Sequence, residues 1–151
     1  VDESCCNTYE YCAEGISAEI ENLQNIPMDA LEDWLSFHIQ GKVMIHENVQ
    51  ALSETNTIRQ ILEPQGIKSL ITVPIISDKN LIGFIGFDSV KDYKVWNETE
   101  VELLTFLAQL LANHYSRKFF QQKLSDSESK LRSILSNAMD AIITINESGL
   151  I

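Results

Sequence analysis

Residues 66–96, GIKSLITVPIISDKNLIGFIGFDSVKDYKVW, constrain this chain more than any other stretch. Two apolar runs, residues 69–76 and 81–88, flank the polar residues Ser77, Asp78, Lys79 and Asn80. A polar connection of that length between β-branched runs predicts a hairpin. The first run is apolar at both parities, with Ile71, Val73 and Ile75 alternating with Leu70, Thr72 and Pro74. Such a strand is expected to be covered on both faces, because a one-sided strand alternates apolar with polar. Pro74 has no N–H to give to a ladder, which points to a bulge or an edge-facing position. Gly83 and Gly86 remove side chains from the second run. They predict either a bend or close helix packing, or room left beside the sheet for a ligand.

The flanking segments read as short elements. Residues 7–13, NTYEYCA, form a strand candidate with Tyr9 and Tyr11 on one face and Thr8, Glu10 and Cys12 on the other; Gly15 ends it. Over residues 29–40, Leu31, Trp34, Leu35 and His38 recur at helical spacing, and Gly41 suits a C′ stop. Residues 42–46 read as a short strand. Residues 53–63 hold a second short helix, with Ile58, Ile61 and Leu62 as its buried face and Pro64 and Gly66 as its end. The longest element opens at Asn97, an N-cap with Glu100 three residues on, as in a capping box. Val101, Leu104, Leu107, Ala108, Leu111 and Tyr115 hold one stripe of it, widened by Leu103, Phe106 and Leu110. One face is therefore expected on the sheet and another on a partner. Trp96 is placed to lock the hairpin to this helix. Beyond Arg117 the chain turns polar. Leu124, Leu131 and Ala138 repeat at seven, as in a coiled-coil linker, while residues 125–129 equally suit a helix break.

The 151 residues suggest one domain and part of a second. A net charge of -11 argues against nucleic acid and anionic membranes as partners. No apolar run approaches the roughly 20 residues of a membrane span, so no membrane insertion is expected. No secretory signal opens the chain. Cys6 and Cys12 would lie ~20 Å apart on one extended strand, too far for a disulfide. A reducing, cytoplasmic setting is expected. His38, His46 and His114 show no paired spacing for a metal. Gly-rich phosphate loop, nucleophile elbow and HExxH are all missing, and the acidic pair Glu98 and Glu100 sits where a helix dipole favours it. No catalytic residue is assigned.

Four segments in order carry a resemblance to a known family: YEYCAEGISAEIENLQNIP, the helix around DALEDWL, QGIKSLITVPI with LIGFIGFDSV, and WNETEVELL. Together, over residues 7–118, they resemble the GAF domain of bacterial or archaeal multidomain sensors of the histidine kinase or diguanylate cyclase type. The last segment, LRSILSNAMDAIITINESGLI, resembles the opening of a PAS domain. The resemblance implies an α+β, PAS-related fold: an antiparallel sheet of five or six strands, flanking helices and a long C-terminal helix. It divides the chain into a GAF domain over residues 1–118, a helical linker over 119–130 and the start of a PAS domain over 131–151. Family members usually open with a long helix and a first strand, but only residues 1–6 precede the matching segment here. The domain is thus expected to be incomplete at its N-terminus. Either it belongs to a longer chain or another pairing fills the gap, for which residues 141–146 offer a strand.

The implied function is sensory and regulatory, not enzymatic: the domain binds an unidentified small molecule and relays the change. Relatives bind cyclic nucleotides, tetrapyrroles, haem or metabolites, or nothing known, so no cofactor is named. The pocket is implied between the sheet and residues 24–65, with Tyr11, Trp34, His38, Ser69, Thr72 and Phe84 as candidate contacts. Of these, Ser69 and Thr72 fall on opposite faces of their strand, so at most one meets a ligand directly. The adjacent Cys-His pair of bilin attachment is missing, as is the pattern of cyclic-nucleotide-binding members. Leu104, Leu107, Leu111, Tyr115 and Phe119 are assigned to a helix that joins a parallel homodimer and signals to downstream PAS and output domains. The alternative is a dimerisation module whose pocket its own side chains fill. A cysteine-dependent methionine sulfoxide reductase of GAF type is a further alternative. Against it, the cysteines cluster with no nearby histidine to activate a thiolate.

Overall fold

The structure, a computed structural model, describes residues 4–137. Strand β1 (Ser4–Cys5) pairs with β2 (Ile26–Pro27), and a 3₁₀ turn (Met28–Leu31) leads into α1 (Glu32–His38). Strand β3 (Met44–His46), a 3₁₀ turn (Val49–Ala51) and α2 (Thr57–Leu62) follow. The hairpin β4 (Ser69–Ser77) and β5 (Asn80–Ser89) comes next, and α3 (Glu98–Asn137) is the last described element. The main sheet is antiparallel in the order β3-β4-β5; β1 and β2 form a separate pair.

The hairpin forms as its sequence predicts. Asp78 and Lys79 make a two-residue turn with φ of +50° and +66°, the mirror-image turn whose twist matches that of the strands. The register shifts between Ile75 and Ile76, one residue past Pro74. Strand β3 pairs with β4 only up to Thr72, so Pro74 also lies where β4 has lost that neighbour. Both readings of Pro74 hold.

Strand β4 is covered on both faces, as expected. Leu70 joins Leu31, Trp34, Met44, Ile58 and Leu62 in one buried cluster; Ile71 and Val73 join Trp96, Leu104 and Ala108 in the other. The two helical turns before the hairpin stop at glycines that both adopt φ of +73°, Gly41 and Gly66. At each, the glycine N–H bonds back three residues, to His38 and Glu63 respectively. The next N–H bonds back five, from Lys42 to Phe37 and from Ile67 to Leu62. That is the Schellman arrangement, which satisfies carbonyls the helix leaves unpaired. The capping box of α3 is also present: Glu100 N–H donates to Asn97 Oδ1, and Asn97 N–H donates to Glu100 Oε2, each at 3.0 Å.

Several expectations need correction. Residues 7–13 form no strand. Tyr9 and Tyr11 are 92% and 91% exposed, so the alternation has no apolar face to bury. The segment spends its polar groups locally instead: Asn7 N–H donates to the Leu23 carbonyl, and Glu10 accepts from Glu19 N–H. The described residues give the main sheet three strands, and β5 stands at its edge. Residues 125–129 do not break α3, which is continuous from Glu98 to Asn137. The apolar girth of α3 divides. Leu104, Ala108 and Ala112 are buried, whereas Leu103, Phe106, Leu110 and Leu111 stay about half exposed. The chain divides into two compact units, 1–113 and 114–151. The strand expected over 141–146, and most of the expected PAS segment, lie outside the described residues.

Candidate functional site

Registry builds the site. Strand pairing sets Met44, Thr72 and Gly86 in one row across the sheet, with His46, Leu70 and Asp88 in the next row on the same face. Phe84 shares that face of β5. Helix α1 lies over it and presents Trp34 and His38, one turn apart.

The four side chains close on one another. Trp34 Nε1–H donates to His38 Nε2 at 3.1 Å and lies 3.2 Å from Thr72 Oγ1. Thr72 Oγ1 stands 3.1 Å from His38 Nε2, and His38 Nδ1 stands 3.0 Å from the carbonyl of Lys42. A carbonyl only accepts, so Nδ1 carries the ring proton. A neutral ring then leaves Nε2 as an acceptor for the Thr72 hydroxyl, with Trp34 Nε1–H shared between Nε2 and Thr72 Oγ1. Phe84 seals the group, stacked on Trp34 at 5.2 Å and tilted against His38 at 5.5 Å between ring centres. His38 is fully buried, and Trp34 and Thr72 are nearly so. Burial lowers the pKa of His38, offset in part by its hydrogen bond to Lys42.

Gly86 is what lets Thr72 sit this way. A Cβ there would come within 2.6 Å of the Ile71 carbonyl oxygen and of Thr72 Cγ2. The glycine therefore serves close approach of the neighbouring strand. Gly83 differs, since a Cβ there would meet only Ile75 Cδ1 at 4.0 Å.

Two expected contacts lie elsewhere. Tyr11 stands in solvent in the irregular segment after β1. Ser69 is fully buried, but on the opposite face of β4. Its hydroxyl donates to the Glu47 carbonyl at 2.7 Å and accepts from Lys94 N–H at 2.8 Å, pinning two loops. Sequence reasoning missed the Lys42 carbonyl, which fixes the histidine tautomer. A backbone acceptor leaves no mark in side-chain identity.

Two shallow clefts lie away from this cluster. One, of about 300 Å³, opens between the end of β4 and α3 beside Val73, Pro74 and Ala108. The other, of about 450 Å³, opens on the outer side of α1 beside Met28, Leu35 and Ile39. Trp34, His38, Thr72 and Phe84 line neither of them. Among the described residues no three His, Cys, Asp or Glu side chains are grouped to hold a metal ion, and no helix is long and apolar enough to cross a membrane. Burial pushes the Cys5 thiol up, with Cys6 adding to it. Burial and the hydrogen bond to Glu10 push Cys12 up, away from the reactive thiolate.

On the opposite face of the sheet, Trp96 stacks on Phe87 at 6.3 Å, and Leu104 and Ala108 of α3 pack beside it. Lys94 lies 4.8 Å over the indole. This joins the hairpin to the last helix, the structural role expected of Trp96. Leu107 is half-buried, while Leu111, Tyr115 and Phe119 are 46–51% exposed on α3.

The sheet thus carries short helices on one face and the start of a long helix on the other. Residues 13–115 match the GAF domain family, and the chain belongs to it. It is 32% identical over 74 residues to the methanogenesis regulatory histidine kinase FilI of Methanothrix harundinacea (strain 6Ac); that match spans 49% of this chain and only 8% of the kinase. Among solved structures, the blue-light absorbing form of the Thermosynechococcus elongatus PixJ GAF domain is similar at a TM-score of 0.66 and 20% identity, over 78% of this chain and 69% of that one. The photoproduct state of GAF3 from Slr1393 of Synechocystis sp. PCC6803 is similar at 0.66 and 18% identity, over 77% and 76%. The far-red absorbing dark state of JSC1_58120g3 with bound biliverdin IXa gives 0.58 and 19% over 70% and 68%. At these identities the structural likeness speaks for the fold.

Proposed function

We propose that this chain is the regulatory GAF domain of a longer histidine-kinase-type sensor in the cytoplasm, and that it works by passing its state along α3 to a partner copy and to a downstream PAS domain. The observation that carries this reading is the division of α3. Leu104, Ala108 and Ala112 seat one side of the helix on the sheet. Leu103, Phe106 and Leu110 leave the opposite side about half exposed and apolar, and Leu111, Tyr115 and Phe119, which continue the first stripe, are about half exposed as well. A helix that is apolar around most of its girth has a second surface to cover. Residues 119–130 act as the helical linker, and residues 131–151 begin the PAS domain.

The site face supports a relay whose pocket its own side chains fill. Trp34, His38, Thr72 and Phe84 occupy the space between α1 and the sheet, in direct contact with each other. A second, ligand-gated reading is favoured by the convergence of indole, imidazole and hydroxyl groups at one buried point. A small molecule there would swing Trp34 outward and take over its hydrogen bonds. It would shift the domain only through different affinities for the closed and open states. Biliverdin is held by one domain of this fold; here Cys5 packs against the core cluster that includes Trp34, and Cys6 is exposed.

Light scattering at micromolar concentration tests the relay, with a dimer as the expected result and Leu111→Glu with Tyr115→Glu weakening it. A monomeric wild-type chain overturns the dimer. Native mass spectrometry of the freshly purified protein decides between the two readings of the site. A bare dimer supports the filled pocket, and a copurifying small molecule supports ligand gating.

A further inference from the structure

We propose that Trp34, His38 and Thr72 form an acid-sensitive latch, in which uptake of one proton by the His38 ring frees α1 from β4 and opens this face of the domain. The inference goes beyond the relay reading because it needs neither a ligand nor a partner copy.

The geometry defines what the proton does. With Nδ1–H committed to the Lys42 carbonyl, Nε2 is the ring's free base; it accepts from the Thr72 hydroxyl and shares Trp34 Nε1–H with Thr72 Oγ1. A proton arriving at Nε2 turns that acceptor into a donor. Trp34 Nε1–H then keeps only Thr72 Oγ1, which must also take the new Nε2–H, and the hydroxyl proton of Thr72 loses its acceptor. A buried donor left unpaired is destabilising, and a buried imidazolium without a counter-ion more so. The neutral ring suits this place, and the charged ring does not.

The neighbours supply no compensating charge inside the cluster. From β4 the ring meets the hydroxyl of Thr72, and from β5 the ring of Phe84, neither of them charged. Asp88 lies on the same face of β5 but one row along, ~7 Å by strand geometry, and burial together with Glu10 holds its pKa up. On β3 the nearest titratable group is His46, also one row along, itself lowered by burial. In α1, Glu32 and Asp33 are exposed at the first turn, and Asp33 accepts from the Thr57 hydroxyl. The Lys42 side chain is exposed and contributes only its backbone carbonyl to the ring.

The latch lies at a point of leverage. His38 is the last residue of α1, and its own carbonyl accepts from Gly41 N–H in the motif that ends the helix. Trp34 is one turn earlier on the same face. Releasing this pair detaches α1 from β4 and Phe84 together. The apolar cluster on the other face of β4 takes no part in the network, so the release is local.

Histidine-ring NMR on the purified chain between pH 8 and pH 5, with amide hydrogen exchange, tests the latch. The expected result at pH 8 is a neutral His38 ring protonated at Nδ1. On acidification the Trp34 indole resonance moves with the His38 ring. Protection of the α1 amides then falls by up to about tenfold per pH unit. Amides of β4 and of α3 before residue 113 keep their protection. His38→Gln removes the transition, and His46→Asn retains it. The latch is overturned if His38 is protonated at Nε2 when neutral, if α1 protection stays constant down to pH 5, or if β4 and α3 lose protection in step with α1. Persistence of the transition in His38→Gln also overturns it. The tautomer and the exchange pattern of the wild-type chain decide the question even where His38→Gln fails to fold.

Discussion

The two faces of strand β4 are built on different principles. Toward α3, Ile71 and Val73 pack on Leu104, Ala108 and Trp96, a cluster held by apolar contact. Toward α1, Thr72 sits among Trp34, His38 and Phe84, and contact there depends on the protonation of one ring. Apolar packing is nearly indifferent to pH and to small shifts of angle. A hydrogen-bonded cluster has few acceptable arrangements and fails abruptly when one member changes. One strand thus carries a stable seat for the output helix on one side and a conditional contact on the other.

The largest expected effect breaks the apolar side. Leu104→Ala should cost about 2–5 kcal/mol in urea denaturation, because Leu104 is fully buried and the helix cannot collapse onto the gap. The loss should be the same at pH 7.5 and at pH 5.5; a strongly pH-dependent loss would undo the contrast between the faces. Next comes Gly86→Ala, at about 1–3 kcal/mol, since its new methyl must displace both backbone and Thr72. A neutral result by thermal melting would mean that Thr72 repacks freely.

Smaller changes sharpen the comparison. Thr72→Val should cost about 1 kcal/mol at pH 7.5, leaving the Trp34–His38 hydrogen bond in place. The cost should shrink at pH 5.5, where the contact is already loosened. The wild-type protein should follow the same sign. Burial lowers the folded pKa of His38 below its unfolded value, so the neutral ring's contribution is complete above about pH 6.5 and is lost as pH falls through the folded pKa. Denaturation midpoints that hold constant from pH 7.5 to pH 5.5 would contradict this. Asn97→Ala should cost about 1 kcal/mol by removing the N-cap of α3, with no pH dependence over this range.

Much of the fold was legible because its signals are local. The hairpin turn, the glycine stops at Gly41 and Gly66 and the capping box at Asn97 each depend on residues within a few positions of one another. The false strand over residues 7–13 shows the limit. Alternation marks a strand only where a neighbouring strand exists to pair with it, and Tyr9 and Tyr11 find none. The stripe on α3 shows a related limit. Apolar residues all round the helix do not say which third of its girth meets the sheet, and Ala112 packs where Leu111 does not. At the site, Trp34 and His38 could be placed together by their spacing on one helix. Their meeting with Thr72 and Phe84 required the pairing register of a sheet whose strands lie 38 and 50 positions away from Trp34 in sequence number.

By itself, the sequence determined the family, the hairpin, the glycine stops, the N-cap of α3 and the covering of β4 on both faces, since each follows from residue type and short-range spacing. Only the tertiary structure decided that Trp34, His38, Thr72 and Phe84 spend their contacts on one another. Which proton the ring carries follows from the Lys42 carbonyl, a backbone group whose position no side chain announces. Which groups fill a buried space is settled by long-range pairing and by the room that Gly86 leaves, and neither has a local signature.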